Sequence, residues 1–324
     1  MIDYIDLFDK ELDYEFHNEY GFKYGDSLEA TKSYLISFGV MESGNKKKID
    51  VLNDWAFSSF AELSELHYEY SIYALLEKKD EGLFEVHLSK ANTYAYINII
   101  CGSQLCGCYT KGNPFLIINK AVFMMSSLLL SNDLEKYNMI GRVLISSLNK
   151  KSCIIRTGHP QATISWFVLK LYSLFSGEDI TLNKLLQPKD IYDYVPILED
   201  WDTENEVRVI QYIDKMCEIH ISQAYDNYSE SLVDKEVYNL KYRELFWICQ
   251  YTFPYEILTW LKLRELKGLS NPREFSHPLM NTLIAKKFLS LKLPLEVPKD
   301  LDCAKELLVK IKERCPAIDI PIWL

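Results

Sequence analysis

What this chain lacks narrows it before anything it contains does. No apolar run reaches the roughly 20 residues needed to cross a bilayer; the longest, Ala121 to Leu130, falls well short and holds two serines, which reads as a buried helix. The opening residues, MIDYIDLFDKELDYEFHNEY, carry acids where an export signal needs a basic segment and an apolar core, so no export signal is expected. No Pro-, Gly- or Ser-rich linker separates two halves; the nearest candidates are Gly44 to Lys48 and the segment 177–202. Strand-like alternation fails after a few residues wherever it starts. Basic side chains are outnumbered, 36 against 46 acidic, for a formal charge of −10. That balance disfavours a nucleic-acid backbone or an anionic membrane as the main partner and suits a basic protein surface.

Motifs that would name a reaction are also wanting. Gly107 and Gly112 have the glycine spacing of a phosphate-binding loop, but Asn113 and Pro114 stand where lysine and a hydroxyl residue must reach the phosphates. Cys101, Cys106 and Cys108 offer three soft ligands without a fourth, and structural zinc closes a tetrahedron. Buried thiols that let helices approach explain them better. Glu274 and His277 have the Glu-x-x-His spacing of a dimetal bundle, yet the second copy is missing. None of the six histidines, at 17, 67, 87, 159, 220 and 277, adjoins a nucleophile motif. No cofactor or metal is expected, and the chain is read as a non-enzyme. The 8 cysteines, scattered through apolar stretches, suit reduced thiols in a cytoplasmic setting.

What is present is helical periodicity almost throughout. Apolar spacing and stop signals place helices near 27–39, 53–79, 82–107, 117–130, 132–149, 160–175, 203–224, 234–251, 254–268, 277–290 and 300–314. Ser131-Asn132-Asp133 can end one helix and cap the next, Pro160 suits a first turn, and Gly177 and Gly268 suit left-handed helix ends. With 48% apolar residues there is ample core material. The expected fold is all-α, a compact multi-helix domain of packed antiparallel helices, with a solenoid of helix pairs left open as a variant. Residues 1–324 are expected to form a single domain, with 1–50 a candidate acidic N-terminal extension. The helix over 254–268 shows Glu256, Thr259, Lys262 and Glu265 every third residue beside Ile257, Leu258, Leu261 and Leu266, and is expected to pack on two sides. The connection 177–202 is too long for an ordinary helix link and marks a functional or moving segment.

Acids cluster twice. Residues 1–20 hold seven against Lys10 alone, and Glu199-Asp200-Trp201-Asp202-Thr203-Glu204-Asn205-Glu206 holds five with no base. Asp202 or Thr203 can cap the next helix, and Glu204 and Glu206 complement its dipole. Trp201, with Tyr192 and Tyr194 nearby, can also serve as an aromatic anchor ringed by charge, as in a protein-binding hot spot. The candidate partner-binding residues are therefore Asp200, Trp201, Asp202, Glu204 and Glu206, and the N-terminal acids come second.

The succession Pro254-Tyr255-Glu256, Trp260, Leu263, Arg264, Gly268 and His277-Pro278-Leu279 resembles the C-terminal helical motif of immunity proteins from bacterial polymorphic toxin systems. It is most similar to helical families that neutralise nuclease toxins passed between competing cells, some by type VI secretion. The likeness spans about 30 residues. It implies a cytoplasmic antidote that binds the toxic domain of its cognate effector one to one and occludes the active site. It transfers no contact residue, because the matching positions identify a fold. A helical-repeat scaffold or adaptor is the alternative reading, and an enzyme whose site assembles around His159 or His277 is the third.

Overall fold

The computed structural model describes residues 46–109, 116–149, 155–156, 162–181, 191–224, 244–245 and 248–298, with isolated positions at 301, 305, 308, 309 and 312. The acidic residues 1–20, Pro160 and the greater part of the expected helices at 234–251 and 300–314 lie outside them. The architecture is all-α: β structure among the described residues is confined to a two-residue ladder and an isolated bridge between Ala224 and Leu245. The chain divides into two compact units, one built mainly from residues 117–151 and 157–294, the other mainly from 14–116 and 295–324.

The second unit is founded on two long helices, α1 (Lys46–Leu76) and α2 (Glu81–Tyr109), packed side by side. Asp80 stops α1 and starts α2, its side chain accepting from Leu83 N–H at 2.9 Å, which satisfies one orphan donor of the first turn. Phe60, Leu63, Ile72 and Leu75 of α1 and Phe84, Leu88, Tyr94 and Ile97 of α2 are all buried. From Ala91 to Ser103 α2 is buried on every side, so it shows no single apolar stripe. Its polar residues are held locally, as where Thr93 Oγ1 donates to Ser89 O at 2.8 Å.

In the first unit, α3 (Ile118–Leu130) is the central rod, with every residue but Lys120 buried. It packs against α4 (Leu134–Asn149) and α5 (Thr163–Ser176). Asn132, at φ +61°, turns the chain, and Asp133 caps α4 by accepting from Lys136 N–H at 3.1 Å. Gly141 allows α4 to lie on the Tyr172 ring of α5: a Cβ there would stand 2.3 Å from Tyr172 Cζ, far inside contact distance. Gly177 ends α5 in the left-handed conformation at φ +75°.

Next come a 3-10 turn (Ile191–Asp193), α6 (Val195–Glu199), α7 (Glu206–Gln223) and α8 (Ile248–Tyr251). The unit continues with α9 (Tyr255–Leu266), a second 3-10 turn (Pro278–Asn281) and α10 (Leu283–Ser290). Helix α9 packs on α3, α5, α7 and α10, which buries eight of its first nine residues together with Arg264 — Lys262 is the exception in that run. The two-sided packing expected of it is therefore found, but the polar stripe divides: Glu256 and Thr259 are fully buried, while Glu265 faces solvent and so does Leu266. In the long connection Tyr194 and Ile197 enter the core and Pro196 sits in the first turn of α6. Two other expectations are corrected. Helix α7 is capped by Asn205, whose side chain accepts from Arg208 N–H at 3.2 Å, so neither Asp202 nor Thr203 is the cap. The helix expected at 277–290 is broken at Thr282, which caps α10 instead.

Candidate functional site

The acidic segment between α6 and α7 is held from below by α9. Arg264 is 1% exposed, yet its guanidinium faces carbonyls on three sides. Nη1 donates to Thr203 O at 2.8 Å and Trp201 O at 3.3 Å, Nη2 to Ser270 O at 2.9 Å, and Nε to Asn271 Oδ1 at 3.1 Å. Trp260 Nε1 donates to the same Trp201 carbonyl at 2.8 Å, and the guanidinium lies 5.3 Å from the Trp260 ring centre. A planar, five-donor fork is the side chain suited to collecting several backbone carbonyls at once. Burial lowers the Arg264 pKa, and the charges of Asp202 and Asp200 work against that fall. Part of the acidity of this loop is thus spent on a buried cation.

The five predicted contact residues separate on inspection. Trp201 is 7% exposed, with Lys267 Nζ 4.4 Å above its ring, so the indole belongs to the interior and to Lys267. Asp200 accepts from Arg208 Nη1 at 2.9 Å and from Tyr212 OH at 3.2 Å. Asp202 pairs with Lys267, whose hydrogen bond holds it below the usual carboxylate range. Glu204 and Glu206 are exposed and have no ion pair among the described residues, and the same holds for Glu199. Val207, 65% exposed, follows them. The result is a ledge of exposed carboxylates flanking a backbone whose Trp201 and Thr203 carbonyls are held, with one apolar side chain beside it. Such a ledge can attract a basic surface without reorganising.

Farther along α7 and α9 the first unit buries a second set of charges. His220 on α7 and Glu256 on α9 are both 0% exposed, with Nδ1 2.8 Å from Glu256 Oε1. His220 Nε2 is 3.0 Å from the carbonyls of Gln250 and of Tyr251. Both ring nitrogens therefore face acceptors, a geometry satisfied when the ring is an imidazolium or when the carboxyl donates the shared proton. Burial pushes the His220 pKa down, but the Glu256 charge and hydrogen bond, with the two carbonyls, outweigh it and hold the ring above the ordinary histidine value. Glu244 caps α5 from a distance in sequence: its oxygens accept from Ile164 N–H at 2.7 Å and from Ser165 N–H and Oγ at 2.8 and 2.7 Å. Burial pushes it up to about 7 against the pull of those donors, and the nearby Glu256 charge adds to the rise. Tyr194 OH, Glu256 Oε2 and Thr259 Oγ1 are buried without a hydrogen-bond partner among the described residues. Titratable groups of this kind can do proton chemistry, but here each is sealed from solvent, so the arrangement as it stands braces α5, α7, α8 and α9.

The second unit has its own titratable cluster. His67 Nδ1 and His87 Nδ1 are 2.9 Å apart, His67 stacks on Tyr94 at 5.5 Å, and His87 packs at a tilt against Tyr70 at 4.4 Å. Burial, with Lys90 and Lys78 adding, pushes His87 down to about 4.

The remaining motif residues act in the scaffold. Gly268 takes φ +81°, and His277 Nδ1 accepts from Leu279 N–H at 3.2 Å, which leaves Nε2 to face Glu218 at 3.5 Å. Cys101 and Cys217 are buried, and burial raises the Cys217 pKa far above its ordinary value. Among the described residues no group of three or more His, Cys, Asp or Glu could hold a metal ion, and no helix is long and apolar enough to cross a membrane. The Glu244 cap and the grip of Arg264 on Trp201 and Thr203 escape sequence reading, because those partners lie about 80 residues and 61–63 residues away. The one local hint is the basic residue in the last turn of α9. No family model, curated protein or solved structure matches this chain.

Proposed function

We propose that this protein is a non-catalytic, cytoplasmic antidote of the immunity-protein kind, which binds the toxic domain of a cognate antibacterial effector one to one. The observation that carries the reading is the exposed carboxylates of Glu199, Glu204 and Glu206, without an ion pair among the described residues, flanking a loop whose Trp201 and Thr203 carbonyls are gripped by Arg264. A nuclease must offer cations to phosphate, and a fixed row of carboxylates in an acidic protein competes for those cations and speeds encounter. The resemblance of residues 254–280 to helical immunity proteins points the same way, and those residues serve by building the brace under the ledge. In this reading Glu204, Glu206 and Glu199 make the contact, Asp200 and Asp202 set the local field, and Trp201 is a structural pillar.

The test is a pull-down of tagged protein from its native lysate at moderate salt, read by mass spectrometry, followed by kinetics with the purified partner. Near-equal recovery of a secreted effector's C-terminal toxic domain supports the antidote, recovery of a housekeeping assembly supports the scaffold, and recovery of nothing overturns both. With the partner in hand, the triple variant E199Q/E204Q/E206Q should slow association roughly tenfold at low salt and flatten its salt dependence. Unchanged kinetics would remove the ledge from the interface.

A further inference from the structure

One concavity of the first unit has chemistry opposite to the ledge. It has a volume of about 510 Å3 and is lined by Arg273, Phe275, Met280, Lys286, Leu289 and Ser290 among others, with Glu274 the one acid among the described lining residues. That volume falls within the range of ligand pockets. Met280 is fully buried and forms apolar floor with Phe275 and Leu289. Elsewhere in this unit Lys136, Arg142, Arg208, Lys215, Lys262 and Lys267 each lie within 4 Å of a carboxylate. The side chains of Arg273 and Lys286 make no ion pair or hydrogen bond among the described residues, although Glu274 lines the same groove. In a chain of net charge −10, two unpaired cations over an apolar floor are a local reversal of the surface potential.

The groove is also built in advance. Asn281 Nδ2 donates to Phe275 O at 2.8 Å and to His277 O at 3.3 Å, Ser276 Oγ donates to Asp214 Oδ1 of α7 at 2.8 Å, and Thr282 caps α10, which supplies Lys286, Leu289 and Ser290. These bonds fix the loop 273–281 before anything binds, so little ordering opposes a ligand. A guanidinium recognises a carboxylate through paired hydrogen bonds, and an ammonium adds a second charge.

We propose that this groove binds an acidic peptide segment of a protein partner, one in which an aspartate or glutamate stands beside a large apolar side chain. The carboxylate meets Arg273 and Lys286, and the apolar side chain covers Phe275 and Leu289. Glu274 repels the peptide carboxylate from its own side of the groove, which confines it to Arg273 and Lys286. The inference is independent of the ledge, whose complement is basic.

The experiment is selection of a random dodecapeptide library displayed on phage against the full-length protein, with the same selection run on R273E/K286E, on S290W and on E199Q/E204Q/E206Q. Expected are sequences pairing Asp or Glu with Phe, Leu or Met, whose affinity drops roughly tenfold or more in R273E/K286E. S290W, which fills the groove without changing charge, should lose them too, and the ledge variant should keep them. All the substituted residues are exposed, and circular dichroism checks that each variant is folded. Selection of basic sequences, of none, or of sequences indifferent to both R273E/K286E and S290W overturns the proposal. Binding of a small carboxylate such as 3-phenylpropionate without peptide selection overturns it as well, and assigns the groove to small molecules.

Discussion

His220 and His87 are the same residue type in helices of two different units, and their surroundings drive them in opposite directions. His220 is sealed between a carboxylate and two carbonyls, and its proton is held. His87 faces another imidazole with Lys78 and Lys90 in its field, and its proton is refused, with a pKa pushed down to about 4. Burial opposes the charged form at both places, so burial is not what separates them. The difference lies in what the second nitrogen partner can accept. A carboxylate and carbonyls are acceptors in every protonation state of the ring, whereas two facing Nδ1 atoms share a single proton and lose their bond when a second arrives. One unit should therefore be loosened by base and the other by acid.

The largest expected effect comes from breaking the His220 pair. Glu256→Gln keeps the volume but removes the charge, leaving His220 buried without its counter-ion. Breaking one side of such a pair costs about 3–5 kcal/mol. Because the chain forms two compact units, the loss should be read locally, as faster amide exchange in α7 and α9 with α1 and α2 unchanged. The double variant H220L/E256M, which removes both charges, should recover most of it. Equal losses in single and double variants would mean that the pair contributes packing alone.

Next in size is the alkaline response of the same unit. Glu244 is held up to about 7 by burial, against an ordinary 4.5, so the native state keeps a proton that the unfolded chain has released. Its contribution is fully present below 4.5 and is lost as pH rises through about 7, to the extent of about 3 kcal/mol. His220, also raised, shifts stability in the same direction. Amide exchange at Ile164 and Ser165, corrected for intrinsic rate, should therefore accelerate between pH 5 and 8. Glu244→Gln should flatten that slope while weakening the cap at every pH, because an amide nitrogen cannot accept from Ile164 N–H as the carboxylate oxygen does. A slope that survives the substitution would assign the pH response to another group.

Local packing is what the sequence makes legible. Helices α3, α4 and α5 follow from apolar spacing and from turn chemistry at Asn132, Asp133 and Gly177, all of which act within a few residues. The reading fails where distant residues decide. Trp201 reads as an exposed anchor among acids, but Trp260 and Arg264, some 60 residues on, take its carbonyl and draw the ring inward. Glu256 reads as one of a polar stripe, and its interior position follows only from His220 on another helix. Asp202, Thr203 and Asn205 are all good caps by composition, and the choice of Asn205 was settled by where α9 pins the preceding backbone. The ledge itself was legible as a run of acids. Its division into paired Asp200 and Asp202 and unpaired Glu204 and Glu206 was not, because Arg208 and Lys267 could not be placed against them.

The smallest expected effect is the acid response of the second unit, and it is the one that completes the comparison. His87 is lowered to about 4 from an ordinary 6.5, so the unfolded chain takes up a proton that the native helix pair refuses. Stability conferred by the neutral pair is present above 6.5 and is lost as pH falls toward 4. The ring is partly open to solvent and screening reduces the effect, so a cost of about 1 kcal/mol is expected. Amides of α1 and α2 around His67 and His87 should exchange faster from pH 7 to 4, while those of α9 do not. His87→Phe keeps the contact with Tyr70 but cannot protonate, and it should abolish the acid slope. The variant leaves His67 Nδ1 without that hydrogen bond, so its stability at pH 7 should fall slightly even as its pH dependence disappears. A wild-type slope of the same sign in both units would show that net charge, and not the partner of each ring, governs how this protein meets acid.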